Sequence, residues 1–209
     1  MGIQERKERE KERRRQQIMV AAKRIFSDKG FGRATMEDIA NEAELSPGTL
    51  YLYFRSKDEL CVSLSLRVLE YLLIRMEHLN ADSHIDSVDK ISQLKKALLD
   101  VYEFDPLILT NLFHLQSNDA VSSLSPELKS DIKKLSDAAL DKMASIFQTA
   151  IENGTCIDWP PAALAKTIWA MFYGIVLWEK GSTGHKPHIG LIEPLIDRAF
   201  KVFERGIRI

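Results

Sequence analysis

The chain is poor in the residues that interrupt regular structure. Among its 209 residues are only 10 glycines and 7 prolines, together about 8% of the chain against a usual share of about 12%. This scarcity favours long helices and disfavours a β-sandwich with many turns. Hydrophobic residues make up 45% and charged residues 28%, which is typical of a folded domain. The length suits one large domain or two small ones.

Cysteines and long apolar runs are also scarce. Cys61 and Cys156 are far apart and outside any CxxC pattern, which argues against a disulfide scaffold or a structural zinc site and favours a cytoplasmic protein. The N-terminal segment MGIQERKEREKERRRQQ lacks the apolar stretch of a secretory signal. The richest apolar run, residues 168–178, is shorter than the roughly 20 residues of a membrane span. We therefore expect no membrane partner.

The sequence lacks the common catalytic motifs. It contains no G-x-S-x-G, no H-E-x-x-H, no P-loop and no dinucleotide-binding glycine pattern. His185 and His188 stand without a neighbouring cysteine or carboxylate, so we expect no metal site. The sequence predicts a protein that is not an enzyme and needs no cofactor.

Charge is distributed unevenly along the chain, although the net charge is only −1. Residues 1–57 hold 13 Lys and Arg against 9 Asp and Glu, a net charge of +4, and the remainder carries −5. A basic end joined to an acidic body suggests that the first part faces a polyanion. Charge alone leaves open the alternative of an ordinary solvated charged helix.

Apolar periodicity and capping residues predict an all-α fold of about nine helices. Thr35, Ser46 and Ser56 are expected as N-caps, and Gly30 is expected to end the first helix. The predicted helices cover residues 5–30, 36–43, 47 to 53 or 54, 57–79, 86–103, 106–117, 126–152, 161–180, and 190 or 191 to 206.

Two short predicted helices joined by a tight turn, within residues 35–54, indicate a helix-turn-helix. The second helix of such a unit enters the DNA major groove by its N-terminal end. The sequence opens that helix with small residues, Ser46, Pro47, Gly48 and Thr49, which allow its backbone to approach the bases. The positions expected to lock the two helices together are Ile39, Ala40, Ala43, Leu45, Leu50 and Phe54.

The residues ATMEDIANEAELSPGTLYLYFRSKDEL, numbers 34–60, closely resemble the DNA-binding signature of the Tet repressor (TetR) family. Ala22, Phe26, Gly30 and Phe31 resemble the family's first helix, whereas the rest of the chain resembles the family only in length and helix layout. Glu44 stands where members often have glycine, so we expect either a positive φ or a slightly different turn there.

The resemblance implies a helix-turn-helix DNA-binding domain over residues 1–56 and a helical effector-binding and dimerisation domain over residues 57–209. It implies a transcriptional regulator, most often a ligand-responsive repressor, that binds a palindromic double-stranded DNA operator as a homodimer. The alternative is a helical protein-interaction scaffold without DNA specificity. The residues that the resemblance implies as DNA contacts are Thr35, Ser46, Pro47, Gly48, Thr49, Tyr51, Leu52, Tyr53 and Lys57. Among them, Lys57 is expected to touch phosphate only and Thr49 to face base edges.

The resemblance also implies a small, largely apolar effector between helices of residues 80–180. Aromatic residues at helical spacing are more often ordinary core, and the sequence does not say which of them line the cavity. The candidate lining residues are Phe104, Phe113, His114, Met143, Phe147, Trp169, Phe172 and Tyr173. The last two predicted helices carry apolar residues on more than one side, whereas a surface helix needs only one apolar stripe. The dimer contacts expected from this surplus are Ile168, Phe172, Ile175, Leu195, Ala199 and Val202.

Overall fold

The computed structural model describes residues 2–82, 84–117, 124–183 and 189–209. Within these residues the chain forms nine α-helices and no strand, which confirms the predicted fold class. The helices are α1 (Ile3–Lys29), α2 (Met36–Glu42), α3 (Pro47–Tyr51), α4 (Lys57–Ala81), α5 (Ser87–Phe104), α6 (Pro106–Ser117), α7 (Pro126–Glu152), α8 (Pro161–Thr183) and α9 (Ile189–Ile207).

The predicted caps lie at four of the helix ends. The side chains of Thr35, Ser46 and Ser56 each accept a hydrogen bond from the backbone N–H three residues later, at 3.1–3.2 Å. Each bond satisfies one of the N–H groups that the first turn of a helix leaves without an internal partner. Gly30 ends α1 with a φ of +79°, a conformation that glycine adopts without steric cost.

Several boundaries differ from the sequence-based expectation, and three of them are informative. Helix α3 ends at Tyr51 rather than Tyr53 or Phe54, because the N–H groups of Leu52 and Tyr53 bond three residues back in a tighter turn. Helix α8 continues through Gly181 to Thr183, since a glycine inside a helix costs only about 1 kcal/mol. Helix α9 begins at Ile189 and includes Pro194 within its second turn.

Helix α4 is the central element of the fold. It packs against α1 on one side and against α5, α6 and α7 further along, and α7 in turn contacts α5 and α8. Helix α9 closes the arrangement by packing on α5 and α8. We call α1–α3 the reading head and α4–α9 the helical body. The boundary predicted after residue 56 coincides with the start of α4 and stays a prediction, because α4 contacts both parts.

Helix α8 contains a segment, Pro161–Glu179, that is long and apolar enough to cross a membrane. It is the only such helix among the described residues. However, Leu164, Ala165, Ile168 and Phe172 on one side of it are buried in the core of the helical body. The sequence-based expectation missed this segment because it counted only the shorter uninterrupted run.

Candidate nucleic-acid interface

The turn between α2 and α3 consists of the four residues 43–46. Glu44 adopts a φ of +54°, and the backbone N–H of Leu45 donates to the carbonyl of Ala40 at 2.9 Å. A left-handed conformation at a non-glycine residue costs roughly 1–2 kcal/mol. Of the two expectations for Glu44, the structure shows the positive φ, with the helix-turn-helix intact.

The facing sides of α2 and α3 pack closely. Ile39, Ala40, Leu50 and Phe54 have no exposed surface, and Ala43 is 2% exposed. Both alanines are buried, as expected for inner positions of the helix-turn-helix. Because this inner side is filled, any ligand of the helix-turn-helix must contact the opposite side of α3.

The outer side of α3 presents side chains that the fold leaves exposed. Ser46, Pro47 and Gly48 are exposed at its N-terminal end. At its C-terminal end Tyr51 is 52% exposed and Leu52 is 82% exposed. Small groups at the start of the helix and two large side chains at its end together form a surface about one helical turn long.

Two of the predicted contact residues also form the N-cap of α3. Ser46 Oγ accepts from the backbone N–H of Thr49 at 3.2 Å and lies 2.9 Å from Thr49 Oγ1. Thr49 is only half-buried, and each hydroxyl retains hydrogen-bonding capacity beyond this pair. The cap therefore orders the first turn of α3 without using all of its polar groups.

Thr35 begins α2 through a reciprocal pair of hydrogen bonds. Its side chain accepts from the N–H of Asp38, and the Asp38 carboxylate accepts from the N–H of Thr35 at 3.1 Å. The ammonium of Lys29, 2.6 Å from the same carboxylate, lowers the pKa of Asp38, and the Thr35 groups lower it further. Thr35 is itself exposed at the N-terminal end of α2.

Helix α1 holds the ends of both short helices. The guanidinium of Arg15 donates to the carbonyl of Tyr53 at 3.0 Å and lies 4.3 Å from the centre of the Phe54 ring. The side-chain amide of Gln17 donates to the carbonyl of Ala43 at 2.8 Å. These contacts satisfy carbonyls at helix ends. The sequence carries no local signal for them, because they join residues 26 and 38 positions apart.

The structure shows Lys57 bonded within the chain, and its expected phosphate contact stays a prediction. Its ammonium donates to the carbonyls of Phe31, Gly32 and Ala34 at 2.8, 3.2 and 3.1 Å. An ammonium has three N–H groups, so these three carbonyls occupy all of its donors. In this structure Lys57 holds the loop between α1 and α2. Tyr53, also expected at the DNA, is half-buried and packs against the core.

The predicted effector residues in part form a closed aromatic cluster between α6 and α8. The Phe113 ring lies 5.5 Å from Trp169, 6.1 Å from Phe172 and 4.6 Å from Tyr173, measured between ring centres. The Tyr173 hydroxyl also donates to the Phe113 carbonyl at 2.8 Å. Phe113 and Phe172 have no exposed surface, so their own neighbours fill the space that a ligand would need.

The remaining candidate pocket residues lie elsewhere. Phe104 is 51% exposed and stacks on Tyr71 at 4.5 Å, so its expected place in an internal pocket is wrong. Met143 and Phe147 are buried on α7, where Phe147 faces Phe203 of α9. The side chain of His114 lies outside the described residues, as do His185 and His188.

The expected dimer contacts divide into buried and outward-facing residues. Ile168 and Phe172 have no exposed surface and Ile175 only 9%, so their expected contact with a partner is wrong and they support α8 from within. Leu195 and Ala199 are half-buried. Val202 is 72% exposed. The outward side of α8 instead presents Ala163, Thr167, Ala170, Gly174 and Trp178.

Comparison with known proteins identifies the helix-turn-helix. Residues 18–64 match the family of bacterial regulatory proteins, tetR family. The reading head therefore carries the DNA-binding domain of TetR-family regulators. The matched segment covers α1 from Ile18 onward, α2, α3 and the start of α4, and it includes Lys57, whereas Arg15 and Gln17 lie just before it.

The curated relatives of this chain are transcriptional regulators and not enzymes. An uncharacterized HTH-type transcriptional regulator of Haemophilus influenzae is 30% identical over 102 residues, 49% of this chain and 54% of that protein. The regulator YfiR of Bacillus subtilis is 28% identical over 172 residues, 79% of this chain and 80% of that protein. The chain thus spans about half of the first relative and four fifths of the second.

Solved structures share the fold over nearly the whole chain. The TetR-family regulator PfmR of Thermus thermophilus has a TM-score of 0.70 at 21% identity, covering 90% of this chain and 97% of that one. FadR of Thermus thermophilus, a TetR-family repressor solved with lauroyl-CoA, has a TM-score of 0.64 at 19% identity, covering 93% and 95%. At such identities the likeness supports the fold.

Proposed function

We propose that this protein is a ligand-responsive repressor that acts in the cytoplasm and binds a palindromic operator as a homodimer. The observation that carries the proposal is the exposed outer side of α3, from Ser46 to Leu52, on a helix whose inner side and both ends are anchored. A helix held in this way presents its first turn to a major groove without reorganisation.

Gly48 offers the sharpest test of this placement. A β-carbon added there would meet nothing closer than Ser46 Oγ at 4.0 Å, and its φ is not positive. The fold therefore has no need of glycine at this position, and alanine would suit the helix better. If the backbone of α3 approaches DNA closely, the added methyl group meets the DNA instead.

The experiment compares Gly48→Ala with Gly32→Ala. Gly32 lies in the loop before α2 and is also open around its β-carbon. The purified protein first selects operator DNA from a genomic pool, and sequencing is expected to show an inverted repeat. Gly48→Ala is expected to weaken operator binding by about 1–3 kcal/mol per half-site, the range of one lost base contact, without loss of stability. Gly32→Ala should leave affinity unchanged. Equal effects, or no enriched sequence, would favour the scaffold alternative.

Within the exposed surface we assign separate roles. The methyl group of Thr49 and the side chain of Leu52 suit contacts with thymine methyl groups, and the Tyr51 hydroxyl suits a phosphate oxygen. Leu52→Ala should relax preference at one base pair per half-site, and Tyr51→Phe should weaken binding to all sequences alike. Binding titrations against a panel of single-base operator variants measure both effects.

A homodimer places two reading heads on one operator. The outward residues of α8 from Ala163 to Trp178, at helical spacings of three and four, form a stripe of small and apolar side chains. Val202 and Leu191, at 72% and 41% exposure, extend an apolar surface along α9. Small residues allow helices to approach closely, and apolar area of this kind is typical of permanent dimers. Two copies of α3 would then lie about one DNA turn apart.

The dimer proposal is tested by placing a charge on the stripe. Ala170→Glu is expected to shift the protein to monomers in sedimentation at micromolar concentration and to abolish operator binding. Ala81→Glu, at an exposed alanine on α4, is the matched control and should leave the dimer intact. A wild-type protein that sediments as a folded monomer would contradict the proposal.

A small apolar effector is proposed to control the spacing of the reading heads. Support comes from the aromatic cluster around Phe113 and from the similar fold of FadR, which was solved with lauroyl-CoA. Because the cluster is closed here, an effector has to part α6 from α8 and must prefer that state over the DNA-bound one. Lauroyl-CoA is therefore expected to release operator DNA, whereas coenzyme A alone should not. A ligand that binds without changing DNA affinity is not the inducer.

A further inference from the structure

Helix α1 extends well beyond the part that the fold requires. Arg15 and Gln17 are the first residues of α1 that bond to the rest of the reading head. Arg15 bonds to a carbonyl just after α3, and Gln17 bonds to a carbonyl just after α2. Residues 4–13 before them are exposed on every side. At 1.5 Å per residue, the segment from residue 3 to residue 14 projects roughly 18 Å past the helix-turn-helix. Packing within the chain does not account for this extension.

The charges on this projecting segment are arranged by helical face. At about 100° per residue, Lys7, Lys11 and Arg14 lie within about 40° of the direction of Ile18. Ile18 is fully buried against the rest of the protein. Arg6, Arg9 and Arg13 lie about 120–180° away from that direction, on the opposite side of the helix.

The acidic residues of the segment lie away from the face that carries Lys7, Lys11 and Arg14. By the same register, Glu5 and Glu12 lie more than about 100° from Ile18, and Glu8 and Glu10 lie at about 80° on either flank. Glu10 is paired with Arg13, at 2.6 Å. Lys7, Lys11 and Arg14 therefore form a continuous basic face, which we call the basic overhang.

One residue of the basic overhang, Lys11, lies in the same groove as the end of the recognition helix. That groove is an open cleft of about 810 Å³ between α1, the end of α3, α4 and the start of α7, and Tyr51, Leu52 and Arg55 line it with Lys11. The groove carries both signs of charge, because it is also lined by Arg15, Arg67, Glu12, Glu59, Glu70, Glu127 and Asp131. The part that suits the phosphate backbone flanking a DNA half-site is therefore the part lined by Lys11, Arg55 and the exposed end of α3. The overhang also continues the face of α1 that is buried further along the helix.

We propose that Lys7, Lys11 and Arg14 bind the phosphate backbone just outside the base pairs that α3 reads, so that each protomer contacts DNA beyond its half-site. This inference rests on the proposed function, since it takes operator DNA as the partner. The contacts are to phosphate, so they add affinity and salt dependence but no base preference. Each neutralised phosphate contributes about 0.9 to the slope of log affinity against log salt.

The test compares two triple variants that remove the same charge. Lys7→Gln, Lys11→Gln and Arg14→Gln together remove the overhang, and Arg6→Gln, Arg9→Gln and Arg13→Gln together remove three cations from the opposite side. Each is titrated over a salt series on two duplexes, one trimmed to the recognised bases and one extended by about a helical turn on each side. Circular dichroism checks that both variants keep their helix content.

The overhang variant is expected to reduce the salt slope on the extended duplex by about 2–3 per protomer. The opposite-side variant should change it by less than about 1. Trimming the flanks should weaken binding by the wild type and the opposite-side variant but not by the overhang variant. The inference is overturned if the two variants have equal salt slopes, or if trimming the duplex does not change the affinity of the wild type. Either result leaves the proposed function intact. A wild type that selects no DNA sequence overturns the proposed function itself.

Discussion

The reading head and the helical body are stabilised by different means. In the head, α2 and α3 have seven and five residues, too few to be stable without tertiary support. Side chains that bond to backbone groups hold them: N-caps at their starts, Arg15 and Gln17 at their ends, and Lys57 at the preceding loop. In the body, helices of 12–27 residues bury a core rich in aromatic and aliphatic side chains.

The comparison shows why the two regions differ in what they leave exposed. A helix anchored through its backbone can keep its outer side chains free for a ligand, as α3 does with Tyr51 and Leu52. A helix anchored by apolar packing buries the large side chains of its packed face, so Phe113 of α6 and Phe172 of α8 fill the interior, while Trp178 lies on the outward side of α8. Removal of a single polar group should therefore lower stability most in the head, and loss of side-chain volume should lower stability most in the body.

The largest expected effect is in the body core. Phe172→Ala removes a ring with no exposed surface that contacts Phe113 and Trp169, and it should lower the free energy of unfolding by about 3–5 kcal/mol. Phe104→Ala is the control, because that ring is 51% exposed and its loss should cost about 1 kcal/mol or less. Urea unfolding measures both values, and similar losses would contradict the closed cluster.

A polar substitution should have the next largest effect, in the head. Lys57→Met keeps the apolar stem but leaves the carbonyls of Phe31, Gly32 and Ala34 without their shared donor. We expect a loss of about 1–3 kcal/mol in stability, with faster amide exchange in the loop of residues 30–35. Unchanged stability combined with a lower salt slope on DNA would restore the phosphate role that the sequence suggested.

A smaller effect is expected where the head meets the body. Asp105 Oδ1 accepts from the N–H of Ile108 at the start of α6, and Oδ2 lies 2.6 Å from the ammonium of Lys23 on α1. Asp105→Ala should cost about 1–2 kcal/mol because it removes the cap and the ion pair. Lys23→Ala should cost less than about 1 kcal/mol, because Lys23 is half exposed and only the pair is lost. If the two variants lose equal stability, the cap contributes nothing.

The smallest effect concerns acid stability in the body. Lys201 and then Lys95 hold the pKa of Asp197 down at about 2, from an ordinary value of 3.8. A lowered folded-state pKa stabilises the protein above about pH 4, and the contribution is lost as pH falls from 4 toward 2. Asp197→Asn should therefore flatten the dependence of unfolding free energy on pH in that window only. Asp38→Asn is the counterpart in the head, where Lys29 lowers the pKa in the same direction. A wild-type pH profile that matches that of Asp197→Asn would contradict the assigned pairs.

Signals within a few residues of one another account for what could be predicted. Caps at Thr35, Ser46 and Ser56, the glycine end of α1 and the apolar period of the long helices depend on neighbours in sequence. The helix-turn-helix can be predicted from the sequence for the same reason, because its two helices and turn lie within about 20 residues, as such units do. The end of α3 was misplaced by two or three residues, because helix ends depend on small differences in backbone bonding.

The sequence by itself determined the all-α fold, the order of the nine helices and the family to which the reading head belongs. Only the tertiary structure decided which side chains remain available for partners. From the sequence, Lys57 is expected to be a free cation, but in the structure the loop carbonyls of residues 31–34 surround its ammonium. Phe104 is expected in the interior, but its ring lies at the surface. The reason is physical. Helix formation and capping involve bonds over three or four residues, whereas exposure depends on which distant helix covers a given face, and no local pattern encodes that choice.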